Sequence, residues 1–87
     1  MAILSVWSER NLFMIVFSDH AVEQNKKRKI PESRILRTVT NPEEVDKSSR
    51  GRLIRRKKFE NKILEVITVT EGSRVTVITQ YYLGELP

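Results

Sequence analysis

Two runs near the C-terminal end restrict the fold most. Ile63 to Thr70 and Arg74 to Leu83 are dense in β-branched and aromatic residues, which suit a pleated, half-buried surface and lose side-chain freedom in a helix. Glu71-Gly72-Ser73 between them is a hairpin-sized gap, with Gly72 free to adopt positive φ. A third run, Arg52 to Phe59, alternates imperfectly and joins the next through Glu60-Asn61-Lys62. Strands joined by gaps this short pair antiparallel. Strict alternation would put Val75, Val77, Thr79 and Tyr81 on one face of the last strand, with Thr76, Ile78, Gln80 and Tyr82 on the other.

The N-terminal half supplies the layer that such a sheet needs. Leu12 to Phe17 is apolar on both faces and reads as a strand buried on both sides. Ser18-Asp19 is a helix start, because an oxygen there can accept from orphan amides and an acid suits the positive end of the helix. The helix expected over His20 to Lys29 carries few apolar residues, Ala21 and Val22, so it serves something besides the core. Pro31 can open a second helix, on which Ile35, Leu36 and Val39 form an apolar stripe before Asn41-Pro42 ends it. Glu43 to Gly51 reads as a polar connection. The expected class is α+β, two N-terminal helices on one face of a small antiparallel sheet, in the order β-α-α-β-β-β. Its expected core is Leu12, Ile15, Ile35, Leu36, Val39, Leu64, Val66, Val75, Val77 and Ile78.

Size and inventory exclude several chemistries. Eighty-seven residues suffice for one domain, 1–87, since domains usually run to roughly 100–200 residues. No cysteine is present, which removes disulfides, thiol nucleophiles and thiolate metal sites. With one histidine, His20, no metal site and no cofactor are expected. The Leu12 to Phe17 run is far shorter than the roughly 20 residues that span a bilayer, and no basic leader precedes it. A cytoplasmic protein without a membrane partner is the expectation.

The charge is segregated. The chain carries +5 overall, yet the stretch from Lys26 to Lys58 carries +9 and the remainder −4. Lys26-Lys27-Arg28-Lys29 forms one cluster; Arg50, Arg52, Arg55, Arg56, Lys57 and Lys58 form the other. Segregated positive charge attracts polyanions, of which nucleic acid is the commonest in cells. Lys26, Lys27, Arg52, Arg55, Arg56, Lys57 and Lys58 are accordingly the expected nucleic-acid contacts. Period two puts Arg55 and Lys57 on one face of their strand and Arg56 and Lys58 on the other. Both faces are too basic to bury without partners. If that strand and the first helix border one groove, the two clusters form a single phosphate-binding surface.

No P-loop, dinucleotide-binding glycine loop or zinc-binding helix is present. The inventory leaves room for RNA cleavage without a metal. There the RNA supplies its own 2′-hydroxyl nucleophile, and the protein needs a cation and groups that move protons. His20, Arg28, a strand arginine and a tyrosine meet that need. The same basic face equally suits a non-catalytic nucleic-acid-binding module or a protein-interaction module.

The order Ser18-x-His20-Ala21-x-x-Gln24-x-x-x-Arg28-x-Ile30, then Asn41-Pro42-x-x-Val45, then Val77-Ile78-Thr79-x-Tyr81 resembles a family of small bacterial domains of unknown function. That family's pattern is S-x-H-A-x-x-R-x-x-x-R-x-I. The likeness covers residues 18–82 and leaves residues 1–11 as an extension. The family is similar to the BrnT and RelE toxins, small ribonucleases of toxin–antitoxin pairs. The resemblance implies a toxin-like endoribonuclease, RNA as ligand and a small antitoxin protein as a second partner. It also implies His20, Arg28, Thr79 and Tyr81 as catalytic residues. Gln24 departs from the pattern, which has arginine there; Lys27 lies one turn away.

Overall fold

The computed structural model describes residues 2–4 and 13–84. Its elements run β1 (Ala2–Leu4), β2 (Met14–Phe17), α1 (Asp19–Arg28), α2 (Glu32–Thr40), β3 (Glu44–Lys47), β4 (Arg52–Phe59), β5 (Lys62–Glu71) and β6 (Arg74–Tyr82). The strands form one six-stranded sheet in the order β1-β2-β6-β5-β4-β3. The α+β class with paired N-terminal helices is therefore observed, with three differences. The sheet is mixed, because β2 runs parallel to β6 while the other pairings are antiparallel. Between β2 and β6 the chain runs through α1, α2, β3, β4 and β5, a crossover long enough to bring them side by side in parallel, which a hairpin cannot do. The polar connection after Pro42 contains β3, an exposed edge strand whose charged residues gave no apolar alternation. Ala2–Leu4 of the N-terminal extension pairs with β2; Leu12 and residues 5–11 lie outside the described residues.

The helix ends form for local reasons. Ser18 caps α1, its Oγ accepting from the Ala21 amide at 3.1 Å. Lys29 closes the helix in the left-handed region, φ 54°, with its amide donating to the Asn25 carbonyl at 2.8 Å. The Asn25 side chain then bonds both the amide and the carbonyl of Ile30, at 3.1 and 3.0 Å, which fixes the turn into α2. Pro31 precedes α2 as expected.

Both helices pack on one face of the sheet. Ile35 and Val39 from α2 meet Leu64 and Val66 from β5 and Val75 and Val77 from β6, with Ile15, Phe17 and Ala21 completing the core. Leu36 packs half-buried against it. Ile78 is half-buried and not in this core; alternation already sets it on the face opposite Val77, and it falls at a bulge in the β5–β6 ladder. Ile67 pairs with Thr79 but Thr68 pairs with Val77, leaving Ile78 as the extra residue. Beyond it the alternation flips. Gln80 and Tyr82 join Val75 and Val77 under the helices, and Thr79 and Tyr81 turn to the opposite face. The facing expected from strict alternation thus fails in the second half of β6.

Ile35 and Leu64 have no exposed surface. Replacing either with Ala is expected to cost about 2–5 kcal/mol in urea unfolding. Val45→Thr, on the edge strand where the side chain is 48 % exposed, is expected to change stability by less than about 0.5 kcal/mol.

Candidate functional site

The site grows from an incomplete pairing. β2 accompanies β6 only from Arg74 to Val77, and the chain then leaves at Ser18 to begin α1. The second half of β6 has no strand on that side among the described residues. Its carbonyls would be left without donors, and two side chains of α1 and its cap supply them. Ser18 Oγ donates to the Ile78 carbonyl at 3.1 Å, and Arg28 Nη1 donates to the Gln80 carbonyl at 3.1 Å. The same Arg28 nitrogen lies 3.4 Å from Thr79 Oγ1, and the guanidinium sits over the Tyr81 ring, 5.8 Å from its centroid. Beneath the helix, Gln80 Nε2 donates to the Ala21 carbonyl at 2.9 Å.

Three of the four expected catalytic residues, Arg28, Thr79 and Tyr81, are therefore assembled. The bulge is what turns Thr79 and Tyr81 toward the sheet face that Arg28 reaches around the free edge. His20 is exposed, and its side chain makes no hydrogen bond or ion pair among the described residues. It lies two helical turns from Arg28, about 12 Å along the axis. The two ends of α1 nevertheless converge on the strand: Ser18 touches Ile78 and Arg28 touches Gln80, positions about 7 Å apart at strand rise.

Tyr81 has a partner that sequence reasoning missed. Its hydroxyl donates to Glu65 Oε1, and the other oxygen of Glu65 accepts from Arg56 Nε at 2.6 Å. Glu65 is buried on the central strand β5, directly opposite Tyr81 in the ladder. A lone acid in a β-branched run was its signal, but the register that pairs it with Tyr81 follows only from the bulge. Burial first, and the Glu65 carboxylate second, push the Tyr81 hydroxyl up to about 12. The phenol therefore keeps its proton under neutral conditions.

The cations of β4 are mostly committed to the fold. Arg55 lies under the helices, donating to Thr68 Oγ1 at 3.0 Å and to the Val39 carbonyl at the end of α2 at 3.0 Å. Burial pulls its guanidinium below the usual arginine range. Arg56, on the opposite face, is bound to Asp46, Glu65 and Glu44. Hydrogen bonds to Asp46 and Glu65 lead in raising it above the arginine range. Lys57 Nζ donates to the Asn41 carbonyl at 2.9 Å. Each basic face thus found its partners, in α2 for one and in β3 and β5 for the other. Lys26 pairs with Glu23 at 3.2 Å on the surface. The side chains of Lys27, Arg52 and Lys58 have no partner among the described residues. The two basic clusters do not border one groove, because α1 packs on β6 while β4 lies two strands away beside α2.

Among the described residues no group of three His, Asp or Glu is arranged to hold a metal, and no helix is long and apolar enough to cross a membrane. The chain belongs to the family described as Domain of unknown function (DUF4258), whose model matches residues 17–82. That span begins at the end of β2 and closes with β6, and so contains both sides of the Arg28–Tyr81 contact. No curated protein and no solved structure matches the chain.

Tyr81 offers a direct check. Its folded-state value lies above the ordinary 10.0, so it contributes stability below pH 10 that is lost as pH rises toward about 12. Phenolate absorbance is expected to show one tyrosine titrating near 12 that disappears in Tyr81→Phe. In Glu65→Gln the same titration is expected to fall only part of the way toward 10, since burial, the larger cause, remains.

Proposed function

We propose that this chain is a toxin-like RNA-binding protein that cleaves RNA at Arg28 and Tyr81 without a metal ion. The observation that carries the reading is the Arg28 guanidinium held over Tyr81, with Tyr81 hydrogen-bonded to the buried Glu65. A cation, a protonated phenol and a carboxylate in contact form a proton relay beside an anion-binding group. The resemblance to BrnT and RelE toxins agrees with it.

In this reading Arg28 binds the scissile phosphate with the donors it does not spend on Gln80, and Thr79 fixes the guanidinium. The 2′-oxygen attacks phosphorus while its proton passes to the Tyr81 oxygen, as Tyr81 gives its own proton to Glu65. The new 2′-oxygen–phosphorus bond forms as the bond to the 5′-oxygen breaks. A 2′,3′-cyclic phosphate and a 5′-hydroxyl result, with His20 giving a proton to the leaving oxygen. Arg28 stabilises the charge that builds on the phosphate oxygens. Lys26, Lys27, Arg52 and Lys58 attract the backbone at longer range. Arg55, Arg56 and Lys57 hold the surface together, and Arg56 acts through Glu65.

Purified protein is expected to convert a mixed-sequence RNA, free or on ribosomes, to cyclic-phosphate products. Arg28→Ala is expected to slow this by on the order of 10²–10³-fold, with Tyr81→Phe and His20→Ala also impaired and melting curves showing each variant folded. Wild type that leaves RNA intact and is harmless on expression would overturn the reading, as would cleavage that survives Arg28→Ala.

A further inference from the structure

One end of the molecule carries cations that no sequence pattern singled out. Around Phe59 and Tyr82, where α2 meets the β4–β5 hairpin, three basic side chains stand over aromatic rings. Arg34 and Arg37 lie over Phe59, 5.1 and 5.9 Å from its centroid, and Lys62 Nζ lies 5.1 Å from that of Tyr82. Arg34 is anchored, donating from Nη1 to the Tyr82 oxygen at 2.8 Å and pairing with the exposed Glu60 at 3.3 Å. Arg37 and Lys62 differ: both are exposed, and their side chains make no hydrogen bond or ion pair among the described residues. They sit one turn and one hairpin from the anchored Arg34, so the free charges rest on a rigid base. By contrast, Arg55, Arg56 and Lys57 of the basic strand are already bonded within the fold.

We infer that this shelf of Arg34, Arg37, Phe59 and Lys62 is a binding site for single-stranded RNA. It extends the RNA reading above, since Tyr82 follows Tyr81 in β6 on the opposite face and the shelf wraps the same strand end. Two free cations supply phosphate contacts. Guanidinium groups held over an aromatic ring leave their outer planes for unpaired bases to stack on, a mode that duplexes with stacked bases do not offer. Free cations over rings are desolvated less than ion-paired ones, so occupying them with phosphate breaks no contact of the fold.

The test measures binding of a 2′-O-methyl single-stranded oligonucleotide, which cannot be cleaved by its own 2′-oxygen, across a salt series. The Arg37→Glu/Lys62→Glu double variant is compared with Lys47→Glu/Arg50→Glu, which changes net charge equally at exposed positions outside the shelf. The shelf variant is expected to lose at least about tenfold in affinity. Its log–log salt slope is expected to be shallower by about 1.4, the value for two phosphate contacts on a single strand. The control variant is expected to lose less affinity and to keep more of the slope. Equal losses in the two variants overturn the site, as does a duplex bound as tightly as the single strand. A polyglutamate chain captured in place of RNA with the same dependence on Arg37 and Lys62 also overturns it, in favour of an acidic protein partner. Binding that depends on the shelf in a protein that cuts no RNA defeats the cleavage reading and leaves this site standing. Cleavage with shelf-independent binding does the reverse.

Discussion

Among the described residues, the second half of the central strand β6 has one side unpaired, and the N-terminal region is organised around that fact. β2 covers the strand only to Val77, and a bare strand edge inside a packed domain leaves carbonyls without donors. Ser18 and Arg28, at opposite ends of α1, donate to Ile78 and Gln80 and so stand in for the missing strand. Gln80 reaches back to the Ala21 carbonyl. Three contacts along one strand fix the position of the helix and, with it, the guanidinium of Arg28. Ser18 and Arg28 therefore have a structural reason before any chemical one. His20, exposed between them, has none.

The same strand contains the bulge at Ile78. One extra residue rotates everything after it, which buries Gln80 and Tyr82 and presents Thr79 and Tyr81 to the other face. Without that flip Tyr81 would point under the helices and Glu65 would have no phenol opposite it. Bulge and half-edge together make the candidate site: one aims the side chains, the other brings an arginine to them.

The positive charge is less available than its density along the chain suggests. Arg55 and Arg56 alternate across β4 and both are consumed by the fold, one under α2 and one among three carboxylates. Truncating such an arginine would leave buried partners unsatisfied, so its first effect would be on stability. Arg37 and Lys62, two of the cations without a hydrogen bond or ion pair among the described residues, stand outside the charge runs of the sequence. A charge run counts residues along a line, whereas partner choice depends on which strands and helices lie alongside.

Much of the fold was legible in the residues. Strand bounds for β4, β5 and β6, the Ser18 cap, the Pro31 helix start and most of the core follow from β-branching, capping chemistry and period, which are local properties. The grouping of Arg28 with Thr79 and Tyr81 came from a likeness to a family pattern, and the geometry brings those three together. Glu65, the charged edge strand β3, the parallel β2–β6 pair and the face of Tyr81 were not legible. Each depends on register or pairing between segments far apart in the chain, and a single bulged residue reverses every later side chain. The sequence by itself determined both helices, the strands rich in β-branched residues and where positive charge is dense. Only the tertiary structure decided which of those charges are spent on the fold, because pairing sets which backbone groups and carboxylates each cation meets.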